Sequence, residues 1–436
     1  MLTAAARTTD IQRVTTPNGA EAWLVEETAV PVISVEIAFR GGSAQDPEGR
    51  PGLVNLMATL FDEGAGDLSA EAFQERLEEL AIELSFSSNR DVVAASLRTL
   101  PENLDEAFRM LGLALSSPRF DEDAVERMRG QLSAQIRRNA LDPDDLAGRT
   151  FFAEAFPGHP YGRPPRGTID SLDAMTREDL LALHRRVIAR DNVVIGAVGA
   201  ISADRLASLV DDLLAGLPER AGLTTVETVK PAKEGSTEII TLDVPQTSII
   251  FGRSGPLRTA DDFIPAYVVN HILGGGSFSS RLFTEVREKR GLAYSVYSYL
   301  SPYDHAGLLL GGVATRNDRA GQSVALIQDE IRRIASEGPT DKELESAKKF
   351  LIGSYALRFD TSTKIANQLV QLQLDDLGID YIAKRNGLVE AVTAADVRAA
   401  AGALFGNGDL LVVAVGKPTG LDGANVRAAP GTAQAA

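Results

Sequence analysis

The feature that most constrains this chain is that it repeats itself at long range. Pro31-Val-Ile-Ser-Val-Glu-Ile is an alternating strand pattern opened by a proline, and Pro245-Gln-Thr-Ser-Ile-Ile-Phe repeats the theme 214 residues later. Asn192-Val-Val-Ile-Gly-Ala-Val-Gly199 is a buried-strand pattern closed by glycine. It returns, 217 residues on, as Asp409-Leu-Leu-Val-Val-Ala-Val-Gly416. Nearly constant offsets imply one domain of about 210–220 residues present twice, because copies this long are duplicated globular domains rather than solenoid units.

The copies meet at residues 218–235, where ERAGLTTVETVKPAKEG lacks helical periodicity and carries Gly222, Pro231 and Gly235. The expected organisation is a domain over 1–218, an exposed linker over 219–235, a second domain over 236–420 and a disordered Pro/Gly/Ala-rich tail over 421–436. Residues 21–27, 32–39, 84–88 and 92–100 read as strands. Residues 52–63 read as a helix with Leu53, Leu56, Met57, Leu60 and Phe61 on one stripe. Residues 121–139 and 145–155 read as further helices. The second half runs similarly, with strands at 236–244 and 248–253 and others opening at Leu292 and Leu308. Strand pairs separated by helix pairs give α+β halves, each a mostly antiparallel sheet with helices on one face.

Composition removes whole classes of chemistry. The chain has no cysteine, so disulfides, thiolate zinc sites, iron–sulfur clusters and cysteine nucleophiles are excluded. Its four histidines, His159, His184, His271 and His305, are too far apart in sequence for a local two-histidine metal motif. Lys+Arg is 44 against Asp+Glu 60, a formal charge of −16, which argues against wholesale binding to nucleic acid or anionic lipid. No stretch reaches the roughly 18 apolar residues of a membrane span. The first ten residues, MLTAAARTTD, are too polar for a signal peptide.

The informative segment is GGGSFSSRLFTEVREKRGLAYSVYSY, residues 274–299. The glycine run suits a turn or helix start, and would also suit backbone amides presented to an anion. Ser279 or Ser280 can cap a helix that carries Leu282, Phe283 and Val286 inward, and Gly291 stops it. Residues 292–300 then alternate as a strand with Tyr294, Val296 and Ser298 on one face. Arg287 sits in the last helical turn, so the Gly291 turn can bring its guanidinium near the Tyr294 phenol. On these residues alone, a surface arginine and a half-buried tyrosine are the favoured reading.

This stretch resembles the second domain of the pitrilysin/insulinase-like metallopeptidases, the inverted-zinc-motif family that includes the mitochondrial processing peptidase. The carrying residues are Leu273-Gly-Gly-Gly, Ser280-Arg-Leu and Val286-Arg-Glu-Lys-Arg-Gly-Leu-Ala-Tyr294, preceded by Asp243-Val-Pro-Gln-Thr247. In the first half Phe39-Arg-Gly-Gly-Ser, Gly52-Leu, Pro160-Tyr-Gly and the strand 192–199 fall in family order. The family binds zinc with H-x-x-E-H on the helix after the Gly-Leu pair and a distant glutamate, the motif glutamate acting as general base. In register, this chain has Asn55, Ala58 and Thr59, and the distant position falls on Gln135. Neutral amides and a hydroxyl are poor zinc ligands and alanine takes no proton, so the four positions read as a lost site, with no metal in this chain.

The resemblance implies that Arg287 and Tyr294 hydrogen-bond the substrate carbonyl and the developing oxyanion. In the two-subunit branch of the family one chain supplies zinc and another supplies this pair, and this chain resembles the latter. The implied protein is inactive alone and forms a heterodimer with a homologous zinc-bearing subunit. It contributes Arg287 and Tyr294 in trans to hydrolysis of peptides or unfolded polypeptide. Related bacterial two-subunit members are exported, so the expected location is the periplasm with a removed leader, the cytoplasm being the alternative. The alternative function is a non-catalytic structural or peptide-binding homologue, like the core subunits of the mitochondrial respiratory complex.

Overall fold

The structure is a computed structural model and describes residues 10–429. The reading of the polar N-terminus, and the last seven residues of the expected tail, lie outside the described residues. Runs of β-branched and apolar residues between turn residues form the strands. In one compact unit β1 (Gln12–Thr15), β2 (Glu21–Glu26), β3 (Ile33–Arg40), β4 (Glu83–Ser88), β5 (Val92–Thr99) and β6 (Val193–Gly199) make a sheet in the order β1-β2-β6-β3-β5-β4. Only the β2–β6 pair is parallel. In the other, β7 (Thr237–Thr241), β8 (Gln246–Ser254), β9 (Ala293–Tyr303), β10 (Ala306–Arg316), β11 (Leu411–Gly416) and β12 (Asn425–Ala428) follow the order β12-β7-β11-β8-β10-β9. There β7 pairs parallel with both neighbours and the other pairs are antiparallel. The helices of the first half are α1 (Leu53–Ala58), α2 (Ala70–Glu79), α3 (Leu104–Ser116), α4 (Glu122–Asn139), α5 (Pro143–Ala155), α6 (Ile169–Asp173), α7 (Arg177–Val187) and α8 (Ala203–Ala215). Those of the second are α9 (Phe263–Asn270), α10 (Ala320–Glu337), α11 (Asp341–Gly353), α12 (Ser362–Leu374), α13 (Tyr381–Ala391) and α14 (Ala394–Phe405).

The duplication extends to strand register. Glu36 of β3 pairs with Gly196 of β6, and Ile250 of β8 pairs with Val413 of β11, so the same 214- and 217-residue offsets relate the two pairs. In the second unit the face of Ile249, Phe251, Val412 and Ala414 packs on Val268, Ile327, Ile331 and Val397 of α9, α10 and α14. This is the expected α+β arrangement of a mostly antiparallel sheet with helices massed on one face. The opposite face carries one more helix, and that helix comes from the other half of the sequence.

The exchange is reciprocal. One unit comprises residues up to Ala134, Pro164–Thr225 and Ser354–Arg385; the other comprises Gln135–Arg163, Val226–Gly353 and the chain from Asn386 onward. The main passage between units falls at Thr225–Val226, inside the expected linker, but α5 is built into the second unit and α12 into the first. On the second sheet the Ser248 hydroxyl donates to Asp144 of α5, and a Cβ added at Gly252 would lie 2.7 Å from the Phe151 ring. On the first, Ser34 and Thr363 share a 3.2 Å hydrogen bond, and Trp23, Val25 and Val198 pack with Ile365, Leu369 and Leu372 of α12. Two sequence expectations change. The helix expected over 52–63 ends at Ala58, because Thr59 turns its hydroxyl back onto the Leu56 carbonyl at 2.8 Å and tight turns follow. Its stripe, Leu53, Leu56, Met57, Leu60 and Phe61, is nonetheless fully buried. The tail expected to be disordered from 421 instead supplies β12, held by polar contacts such as Asn425 Nδ2 to Glu238 Oε1 at 3.1 Å; an exposed polar strand has no hydrophobic period to announce it.

Candidate functional site

The segment expected to hold the degenerate zinc positions begins at a well-built helix start. Gly52 has φ +92, and a Cβ there would fall 2.6 Å from the Gly167 amide nitrogen, so only glycine fits. The buried Asp46 carboxylate accepts the Gly52 and Val54 N–H groups at 2.7 and 2.8 Å, meeting the donors a helix start leaves unpaired. α1 is therefore positioned as a ligand-bearing helix would be, but its side chains do not serve one. The Asn55 side-chain nitrogen is buried without a hydrogen-bond partner. Ala58 is buried, and the Thr59 hydroxyl is spent on the Leu56 carbonyl. Gln135 lies half-buried on α4 and belongs to the other compact unit. A neutral amide, a methyl group and an engaged hydroxyl do not fit a zinc ion. Among the described residues no group of three or more His, Asp or Glu side chains could hold a metal.

The Arg287 segment is assembled differently. Ser280 opens it, its hydroxyl oxygen accepting the Phe283 N–H at 3.3 Å, and Gly291 at φ +59 closes it. Between them, Phe283–Glu288 winds as a π-helical turn, and His271–Gly275 forms a second one; among the described residues these are the two places where such turns occur. π-turns often mark functional positions because they rotate side chains out of the α-helical sequence of faces. The glycine run is a turn packed on β9: a Cβ at Gly274 would lie 2.6 Å from the Ser298 amide nitrogen.

Arg287 and Tyr294 come together. The guanidinium carbon lies 4.6 Å from the Tyr294 ring centroid, 4.7 Å from that of Phe283 and 5.9 Å from that of Phe278. Among the described residues the Arg287 guanidinium has neither a hydrogen-bond partner nor a carboxylate within ion-pair reach, while its backbone carbonyl accepts the Gly291 N–H at 2.9 Å. Tyr294 is 82% exposed and Phe278 72% exposed. The expected strand alternation, Tyr294 with Val296 and Ser298, is broken. Val313 faces Val296 and Thr315 faces Ala293, so Ala314 alone opposes Tyr294 and Ser295. This bulge sends Tyr294 outward while Val296 and Ser298 stay buried. Phe278 and Phe283 were not candidates from the sequence; Phe283, four residues before Arg287, carried the legible i, i+4 signal.

A charged frame braces the segment. Arg281 forks onto Glu343 with two 2.7 Å contacts. Burial alone would raise the Glu343 pKa, but the Arg281 fork and the Thr340 backbone and hydroxyl donors bring it down to about 2. Burial likewise pushes Glu285 up, and hydrogen bonds from Lys289 and Arg290, each 2.6 Å, outweigh it and hold the carboxyl below its ordinary range. The buried acid nearest in sequence on this segment is thus already engaged and leaves Arg287 unneutralised.

Fold and site together define a duplicated α+β chain of metallopeptidase architecture with no metal-holding side-chain group among the described residues. Residues 23–169 match the insulinase (peptidase family M16) family and residues 174–351 the peptidase M16 inactive domain. The chain belongs to peptidase family M16. It is 30% identical to a non-peptidase homolog, YmxG, of Helicobacter pylori over 78% of this chain and 79% of that protein. It is 28% identical to an uncharacterized zinc protease of Streptomyces coelicolor over 91% and 87%. A Pseudomonas fluorescens peptidase M16 inactive domain superposes with a TM-score of 0.88 at 29% identity, covering 94% of this chain and 98% of that one. A chain of complex III2 from Candida albicans, at 19% identity, TM-score 0.77 and coverage of 94% and 97%, shares the fold.

Proposed function

We propose that this chain is the zinc-less subunit of a two-chain metallopeptidase, lending Arg287 and Tyr294 to the zinc site of a homologous partner. The observation that carries this reading is a half-buried Arg287 whose guanidinium, without a hydrogen-bond or ion-pair partner, lies over the exposed Tyr294 ring, in a chain whose α1 does not fit zinc. A guanidinium and a phenol so placed can donate to a peptide carbonyl and to the oxyanion that forms when metal-bound water attacks it. Zinc, supplied by the partner, would activate that water. The substrate would be an extended peptide or unfolded polypeptide, and the compartment the periplasm.

The test is co-expression with a zinc-bearing family member from the same genome, assayed on an internally quenched peptide. Each chain alone is expected to be inactive and the pair active. In the pair Tyr294→Phe should slow turnover about 10²–10³-fold without loss of assembly. Arg287→Lys should not restore full rate, because it lacks the planar fork. Unaltered kcat/KM in both variants would remove the chain from the chemistry. A non-catalytic scaffold is the second reading, favoured by the name "non-peptidase homolog" borne by the Helicobacter relative; stable assembly with no effect of either substitution would select it.

A further inference from the structure

Arg287 combines features that a role as a lone oxyanion donor does not require. Three aromatic rings lie within 6 Å of its guanidinium, and two of them, Phe278 and Tyr294, are largely exposed. Exposed phenylalanine is unfavourable in water, and this one is presented by Ser277, whose φ of +47 is a conformation most non-glycine residues avoid. A guanidinium laid over rings is poorly hydrated yet keeps its N–H donors for a planar acceptor. Its neighbours Lys289 and Arg290 are tied to Glu285, so the site offers a single fork rather than a cluster of cations. A single fork matches a planar monoanion, and the rings beside it match an apolar side chain next to that anion.

We propose that Arg287, Tyr294, Phe278 and Phe283 form a carboxylate-recognition site for polypeptide that works in this chain alone. Its ligand is an extended segment presenting a carboxylate, at the C-terminus or on a side chain, beside an apolar or aromatic residue. The proposal deepens the functional reading by naming a ligand class for the same residues, and it needs neither zinc nor a partner chain.

The experiment is fluorescence anisotropy on the full chain with three fluorescein-labelled pentapeptides. The first is Ala-Leu-Ala-Leu-Phe with a free C-terminal acid, the second its amide, and the third the amide with glutamate at the central position. The free acid, the glutamate peptide or both should bind at least about tenfold tighter than the plain amide, the contribution of one charge-assisted fork. Arg287→Gln should abolish that difference, and Phe278→Ala should weaken carboxylate peptides severalfold; thermal melts would show that both variants stay folded. Equal affinity for all three peptides, a difference that survives Arg287→Gln, or no binding at millimolar chain would overturn the proposal. Because the assay contains no partner, its failure leaves the trans-acting role standing, and an inactive pair leaves this binding standing.

Discussion

The two units run the same sheet in the same register and cover it differently. Ser34 and Ser248 occupy matching positions, and each hydrogen-bonds the exchanged helix on its sheet, at Thr363 of α12 and Asp144 of α5. Two residues on, the units diverge. The first buries Glu36, bonded by the Ser96 hydroxyl at 2.6 Å, where the second has Ile250 against Gly148 of α5. Their strand partners diverge as well: Gly196 in the first, Val413 in the second. Both units admit the exchanged helix over a strand glycine, but at different positions: Gly196 of β6 lies under the α12 backbone, and Gly252 of β8 lies under the Phe151 ring of α5.

The comparison breaks most sharply at Gly196. A Cβ there would meet the Ala366 carbonyl oxygen at 2.6 Å and the Leu369 Cβ at 2.9 Å. Gly196→Val, which installs the residue of the other unit, is expected to force α12 away and cost about 3 kcal/mol, the upper end of overpacking. Chemical denaturation would measure it, and a loss under about 0.5 kcal/mol would show that α12 is not closely docked.

Glu36 sharpens the comparison through pH. Burial pushes its carboxyl up to about 7, only partly opposed by the Ser96 hydrogen bond. Between the ordinary value of 4.5 and about 7 the unfolded chain has lost this proton and the folded chain keeps it. Stability therefore falls as pH rises through that window, by roughly 2–3 kcal/mol, and stays lower above it. Glu36→Gln should remove that fall, so that wild type and variant diverge between pH 5 and pH 8. Parallel denaturation curves at the two pH values would refute the buried-acid account.

The smallest effect concerns α1. Replacing the unpartnered buried amide with Asn55→Leu should stabilise the chain by about 1 kcal/mol, since a polar group without a hydrogen bond is exchanged for one that needs none. The proposed pair activity should be unchanged. Destabilisation, measured by thermal melting, would mean that Asn55 is satisfied in solution.

Much of the fold was legible because a strand's signal is local. The repeats at Pro31 and Pro245 and at 192–199 and 409–416 name β3, β8, β6 and β11, and their offsets are those of the register pairs. The site was legible in part: the Gly291 turn was expected to bring Arg287 to Tyr294, and the two do meet. Phe278 was silent, because nothing in SFSS distinguishes a solvent-facing phenylalanine from a core one. The direction of Tyr294 was misread because a bulge spends one extra residue, and a period-of-two reading has no register for it.

By itself the sequence determined the duplication, the identity of the sheets and the absence of cysteine chemistry, all properties of residue type and spacing. Only the tertiary structure decided which sheet each helix covers. An amphipathic stripe on 143–155 or 362–374 states that a face must be buried, not against what, and either sheet offers an apolar surface. The choice rests on contacts between residues more than a hundred positions apart, Ser248 with Asp144 and Ser34 with Thr363, and on glycines that admit the helix backbone. The gathering of three rings around Arg287 was decided in the same way. It depends on a π-turn, a left-handed Ser277 and a bulge acting at once, and each is stabilised by surroundings that exist only after the chain has folded.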